Sequence, residues 1–84
     1  MRYTVTWAPE AESELARIWT QASDQQAVAD ASNTIDRRLR TSPERLGTDM
    51  GGGQRFLQVT PLVVIFTIEP DDCRVRVLEV WREV

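Results

Sequence analysis

The chain has 84 residues, which is enough for one domain over residues 1–84 with a small hydrophobic core. Its formal net charge is −3, and all ten basic residues are arginine, so we expect no strong non-specific binding to nucleic acid. One cysteine and no histidine leave neither an internal disulfide nor a zinc constellation, and we expect no metal and no cofactor.

The chain shows no sign of a membrane or secretory segment. No apolar run approaches the roughly 20 residues that a membrane-spanning helix needs. The N-terminus also lacks the charged, apolar and small-residue pattern of a signal peptide. We therefore expect a cytoplasmic location.

The first predicted element is a short strand that passes directly into a helix. Residues 2–7 alternate between polar and apolar side chains, which is the period of a half-buried strand. Pro9 suits the first helical turn, and Glu10, Glu12 and Glu14 complement the positive end of the helix dipole. An apolar stripe then follows at helical spacing, and we expect it to be buried: Leu15, Ile18, Trp19 and Ala22.

A second amphipathic helix is predicted from about Ser23, where Ser-Asp-Gln-Gln has the form of a capping box. Its apolar stripe consists of Val28, Ala31, Ile35 and Leu39. Ser42-Pro43 ends the helix, because the residue before proline is displaced from the α region. Two such helices joined by a tight turn predict an antiparallel hairpin that packs on another layer.

The second half of the chain is predicted to be β-rich. All four glycines lie within residues 47–53, which indicates a flexible loop. Three strands follow, at residues 55–60, 62–68 and 74–82, separated by turns at Pro61 and Pro70. The middle one is almost continuously apolar, so we expect it to be the central strand, with helices covering one of its faces.

This order of elements, together with the head Trp7-Ala-Pro-Glu-Ala-Glu-x-x-Leu15, resembles the RelE/ParE superfamily of bacterial toxins. The resemblance covers nearly the whole chain. It implies an α+β fold with a strand, a two-helix antiparallel hairpin and a three-stranded antiparallel meander, the helices lying on one face of the sheet. It also implies a growth-inhibiting toxin of a type II toxin-antitoxin pair, of the kind that acts in plasmid stabilisation, with a cognate antitoxin as partner and either DNA gyrase or the ribosome as target.

Ribonucleases of this superfamily hold the scissile phosphate with basic residues on strands, and they often use a tyrosine or histidine near the C-terminus for proton transfer. In this chain Arg55 and Arg82 match such basic positions, and they are the candidate catalytic residues if the protein is a ribonuclease. Val63 stands where many family ribonucleases have an arginine, and the sole tyrosine, Tyr3, lies in the first predicted strand. Guanidinium groups are poor proton shuttles, so gyrase is favoured over ribosome-dependent mRNA cleavage.

The sheet carries more apolar surface than two short helices can cover. We therefore predict that a partner binds the sheet near Phe56, Ile65 and Trp81.

Two classes of function remain open from the sequence. The first is a toxin that inhibits an essential target and is restrained by an antitoxin. The second is a binding module with the same fold and no toxicity, a degenerate or solitary member that dimerises or docks a partner.

Overall fold

A computed structural model describes residues 2–83, in which five strands form one sheet and two helices lie on one of its faces. In chain order the elements are β1 (Thr4–Trp7), α1 (Pro9–Gln21), α2 (Gln25–Thr41), β2 (Thr48–Gly51), β3 (Gln54–Val59), β4 (Leu62–Glu69) and β5 (Arg74–Arg82). Single 3₁₀ turns at Pro43–Arg45 and Pro70–Asp72 connect α2 to β2 and β4 to β5.

The sheet has the order β1-β5-β4-β3-β2. Strands β3, β4 and β5 form the predicted antiparallel meander, and the apolar β4 is the central strand, as expected. Strand β1 pairs in parallel with β5, so the beginning of the chain lies next to its end. This arrangement confirms the predicted α+β fold.

The glycine-rich segment contains a strand that the sequence analysis did not predict. Thr48–Gly51 pairs antiparallel with β3, and the following glycines form the turn of a hairpin. Gly51, Gly52 and Gly53 all have positive φ, of 86°, 63° and 80°. Four glycines lower the apparent strand propensity of residues 47–53, which is why the pattern indicated a loop instead.

The hydrophobic core lies between the helices and one face of the sheet. The predicted stripe of α2 is confirmed, because Val28, Ala31, Ile35 and Leu39 are all buried. The stripe predicted for α1 is only partly right: Ile18 is buried, but the side chain of Trp19 is 45% exposed. Trp19 lies 100° around the helix from Ile18, on the side that faces away from the sheet.

The predicted capping box at Ser23 is wrong. Helix α2 begins at Gln25 with Asp24 as its N-cap residue, and no side chain caps the helix. The carboxylate of Asp24 binds Arg82 instead, at the far end of the chain. The side chain of the N-cap residue thus contacts a distant strand and not the first turn of its own helix.

Strand β5 contains a β-bulge that changes which residues face the helices. Val77 pairs with Phe66 and Glu79 pairs with Ile65, so Leu78 has no partner residue on β4. Val77 before the bulge and Val80 after it both belong to the core, whereas Trp81 faces away from the helices. The bulge thus sets the direction in which the last residues of the strand point.

Candidate functional site

The face of the sheet opposite the helices carries an apolar cluster on strands β2 to β5. We call it the outer patch, and its members are Met50, Phe56, Val63, Ile65 and Trp81. A shallow depression of about 250 Å³ lies over part of it, lined by the patch residues other than Ile65 together with Gln58 and Glu83. None of the five residues belongs to the core cluster that joins the sheet to the helices.

Strand register brings the outer patch together. Phe56 lies opposite Ile65 on the neighbouring strand, and Val63 lies opposite Trp81. Ile65 and Val63 are two residues apart on β4, so their side chains point to the same face. The three residues predicted to bind a partner, Phe56, Ile65 and Trp81, therefore share one surface.

The members of the outer patch differ in exposure. Val63 and Ile65 are only 3% and 7% exposed, and they form the floor. Phe56 and Trp81 are each 37% exposed and Met50 is 50% exposed, and these three form the accessible rim. A partner would therefore contact the rim directly, and Ile65 would act mainly as the support beneath it. Met50 was missed because it lies in the glycine-rich segment, where no apolar alternation marks it.

The polar end of Trp81 has a partner within the chain. The indole Nε1 donates a hydrogen bond to Oε2 of Glu83 at 3.3 Å. This bond fixes the direction of the ring and leaves its apolar surface available. Glu83 itself forms no ion pair with any of residues 2–83.

Arg55 has a structural role in this fold. Its Nε donates to the carbonyl oxygen of Leu46 at 2.9 Å, and its Nη2 donates to that of Gly47 at 3.4 Å. Arg55 also lies opposite the fully buried Phe66, on the helix side of the sheet. The guanidinium thus holds the segment before β2 against β3.

Arg82 ties the end of β5 to the turn between the helices. Its Nη2 donates to Oδ2 of Asp24 at 2.8 Å. This hydrogen bond lowers the pKa of the Asp24 carboxyl and raises the pKa of Arg82. Nη1 of Arg82 and Oδ1 of Asp24 are buried and have no hydrogen-bond partner within the described chain. The pair is therefore only partly satisfied.

The structure does not bring the two candidate catalytic arginines together. Arg55 pairs with Phe66 and Arg82 pairs with Leu62, four residues apart on β4. This separation is about 14 Å along the strand, and β4 lies between the two arginines. The guanidinium of Arg55 binds Leu46 and Gly47 while that of Arg82 binds Asp24, so the two do not form one phosphate site in this arrangement.

A second apolar surface lies between the two helices, on the side of the molecule that faces away from the sheet. This helical groove has a volume of about 520 Å³, and Leu15, Trp19, Val28 and Ala29 contribute its apolar lining. This groove was not predicted, because the helical spacing of α1 indicated that Trp19 lies in the core. The molecule thus carries one exposed tryptophan on each of two different surfaces.

Comparison with known proteins identifies related sequences and folds. Residues 5–83 match the family model described as ParE toxin of type II toxin-antitoxin system, parDE. No curated protein is similar enough in sequence to be counted as a relative. Within the part of the chain described, no helix combines the length and apolar character needed to cross a membrane.

Several solved structures share the fold. The toxin-antitoxin complex RelBE2 from Mycobacterium tuberculosis contains a chain with a TM-score of 0.79 and 17% identity, covering 99% of this chain and 93% of that one. For the chromosomal ParDE system from P. aeruginosa the TM-score is 0.77 and the identity is 16%, covering 99% of this chain and 98% of that one. For the intact E. coli RelBE complex the TM-score is 0.67 and the identity is 13%, covering 98% of this chain and 96% of that one. At these identities the likeness concerns the fold alone.

Proposed function

Because the chain belongs to the ParE toxin family of type II toxin-antitoxin systems, we propose that it inhibits growth by binding an essential target rather than by cleaving RNA. We favour DNA gyrase as that target over the ribosome. A cognate antitoxin restrains the toxin by covering the outer patch. The composition of the outer patch is the observation that carries this proposal.

The chemistry of RNA cleavage supports the choice between targets. Cleavage needs preorganised cations at the phosphate and groups that transfer protons, and general acid-base catalysis alone contributes about 10²–10⁴-fold in rate. The outer patch itself consists of apolar side chains, among them Phe56 and Trp81, and the arginines of the same face, Arg74 and Arg76, lie only at its edge. Arg55 and Arg82 lie on the helix side, and each is already bound to other groups of the chain. An apolar surface of this kind suits protein binding better than phosphate binding.

The antitoxin site is proposed for the same surface. Phe56 and Trp81 are large apolar side chains exposed to water in the free protein. Covering them with a partner removes this apolar surface from water. Aromatic residues of this type commonly dominate the binding energy of an interface when they enter a partner's pocket. The buried pair Val63 and Ile65 gives these two rings a rigid base.

Induction of the chain in bacteria tests the proposed target. We expect growth arrest with DNA-damage signalling, and we expect the purified protein to block supercoiling by gyrase in vitro. Primer extension on cellular mRNA should show no new cleavage sites. Codon-periodic cuts within minutes of induction would contradict the proposal.

Two variants extend the same experiment. If cuts appear, Arg55→Ala and Arg82→Ala should each be examined, since these two arginines are the candidate catalytic residues. If induction causes neither growth arrest nor supercoiling inhibition, the chain is instead a non-toxic binding module with the toxin fold.

A further inference from the structure

The outer patch is flanked by opposite charges at its two ends. Along β5 the residues on the outer face are Arg74 and Arg76 before the bulge, then Glu79 and Trp81, followed by Glu83 beyond the strand end. Arg74 is paired with Glu69 at 3.6 Å. Arg76 and Glu83 are exposed, and neither forms an ion pair with another described residue.

We propose that a second copy of this chain docks on the outer patch, antiparallel and face to face, with Arg76 of each copy opposite Glu83 of the other. The inference goes beyond the proposed function, because it needs neither an antitoxin nor a growth target. The resulting dimer covers the apolar surface of the free protein.

The register of the sheet makes the two charged ends of this arrangement complementary. Paired residues on β5 and β4 form successive rows across the outer face: Arg76 with Thr67, Glu79 with Ile65, and Trp81 with Val63. Glu83 follows as the next row, where its backbone N–H donates to the carbonyl of Pro61. A two-fold axis between the Ile65 row and the Val63 row places Ile65 of one copy over Val63 of the other, and Glu79 over Trp81. Arg76 and Glu83 lie one and a half rows on either side of that axis, so the same rotation brings their opposite charges together. Because the interface is isologous, this contact forms twice.

The size of the face sets the expected affinity. Four strands, β2 to β5, at about 4.8 Å spacing and six residues at about 3.4 Å rise give a footprint of roughly 400 Å² on each copy. The total of about 800 Å² is below the usual size of a stable specific interface and fits a weak, reversible association. We therefore expect a dissociation constant of about 10–100 µM.

Sedimentation velocity of the purified chain between about 5 and 200 µM tests the dimer in this affinity range. We expect a reversible monomer-dimer equilibrium. Arg76→Glu and Glu83→Arg should each weaken the dimer about tenfold or more, because each change turns two attractive contacts into repulsive ones. The double variant, Arg76→Glu with Glu83→Arg, should recover an affinity within about threefold of the original, since the charges are only exchanged.

Arg37→Glu is the matched control. Arg37 is exposed on α2, on the other side of the molecule, and its substitution changes the net charge by the same amount as Arg76→Glu. It should leave the dimer unchanged. A chain that stays monomeric up to about 200 µM would overturn the proposal. So would a dimer that both single charge reversals leave intact, or a double variant that is no tighter than the single ones.

Discussion

Gly47 is the residue at which the backbone geometry is most restrictive. Its φ is +73°, and a Cβ atom built there would lie 2.3 Å from the carbonyl oxygen of Phe56. The carbonyl of Gly47 also accepts a hydrogen bond from Arg55. The segment before β2 is thus pressed against β3 at the point where Phe56 turns its ring toward the outer face.

Substitution of Gly47 should be much more costly than substitution of Gly52. Gly52 has a φ of +63°, but no atom lies within 4 Å of its would-be Cβ. Gly52→Ala should therefore lower the free energy of unfolding by only roughly 1–2 kcal/mol, the cost of placing alanine in a left-handed conformation. Gly47→Ala adds a clash with backbone and should cost about 3 kcal/mol or more. Urea unfolding of both variants measures the difference, and equal losses would contradict the proposed close approach.

The Asp24–Arg82 pair predicts a pH dependence of stability. Because Arg82 lowers the pKa of Asp24 in the folded chain, the unfolded chain takes up a proton first as the pH falls. The pair's contribution is therefore complete above about pH 5 and is lost as the pH falls through the ordinary aspartate range near 3.9 and down to the folded pKa. Asp24→Asn should lower the urea midpoint at pH 7, and the difference from the original chain should shrink toward pH 3.

Asp36→Asn is the control for that prediction. Asp36 pairs with Arg40 at 2.8 Å, but both residues belong to α2, so this pair joins no separate elements. We expect a smaller change in the urea midpoint at pH 7. If the two variants lower it equally, the contact between the helix turn and β5 has no special role in stability.

At the scale of elements, the two helices differ in how they use their apolar residues. Helix α2 buries its whole stripe, with Ile35 fully inaccessible. Helix α1 buries Ala11 and Ile18 but leaves Trp19 largely exposed at the helical groove. Trp19, the larger side chain, therefore contributes less to the core than Ile18 does.

The prediction is that Ile35→Ala destabilises the fold more than Trp19→Ala, although tryptophan is larger. Truncating a fully buried isoleucine typically costs about 2–5 kcal/mol, because a cavity remains. Trp19→Ala should cost about 1 kcal/mol, because nearly half of the ring is already in water. Thermal or urea unfolding distinguishes these values. A larger loss for Trp19→Ala would mean that the ring is buried in solution.

The sequence predicted those elements whose periodicity is regular over their whole length. The stripe of α2 repeats at helical spacing, so its buried face follows directly from the pattern. The continuous apolar run of β4 indicated a central strand but not which of its residues face the helices. Phe56, Ile65 and Trp81 could be grouped because they fall on neighbouring strands of one meander. Their shared surface then depends only on strand register.

Other features depend on contacts that no local pattern encodes. The hydrogen bond between Asp24 and Arg82 joins residues 58 positions apart, so the capping motif at Ser23 did not predict it. Strand β2 is held mainly by its pairing with β3, despite its glycine. The bulge at Leu78 shifts the alternation of β5 by one residue, which only the register with β4 reveals.

At the scale of the whole molecule, two apolar surfaces compete as sites for an antitoxin. The outer patch exposes Trp81 and the helical groove exposes Trp19, so the two tryptophans are matched probes. Our proposal predicts that Trp81→Ala weakens antitoxin binding by about 2 kcal/mol, or roughly thirtyfold. Trp19→Ala should change it less than threefold, and Phe56→Ala should follow Trp81→Ala.

Isothermal titration calorimetry with the product of the neighbouring gene measures these affinities. The outer patch is the wrong site if Trp81→Ala and Phe56→Ala leave the affinity within a factor of about two. A large loss for Trp19→Ala alone would place the antitoxin on the helical groove.

The parallel pairing of β1 with β5 also controls when the sheet can close during synthesis. Thr4 aligns with Arg74, so the first strand has no partner until about 70 more residues have been made. At about 5–20 residues per second, this delay is roughly 4–14 s. Such a long-range pairing also slows folding, because the loop must close before the contact forms. The nascent chain therefore lacks its complete sheet until β5 has been made, which leaves an interval for a partner to meet it before the sheet is complete.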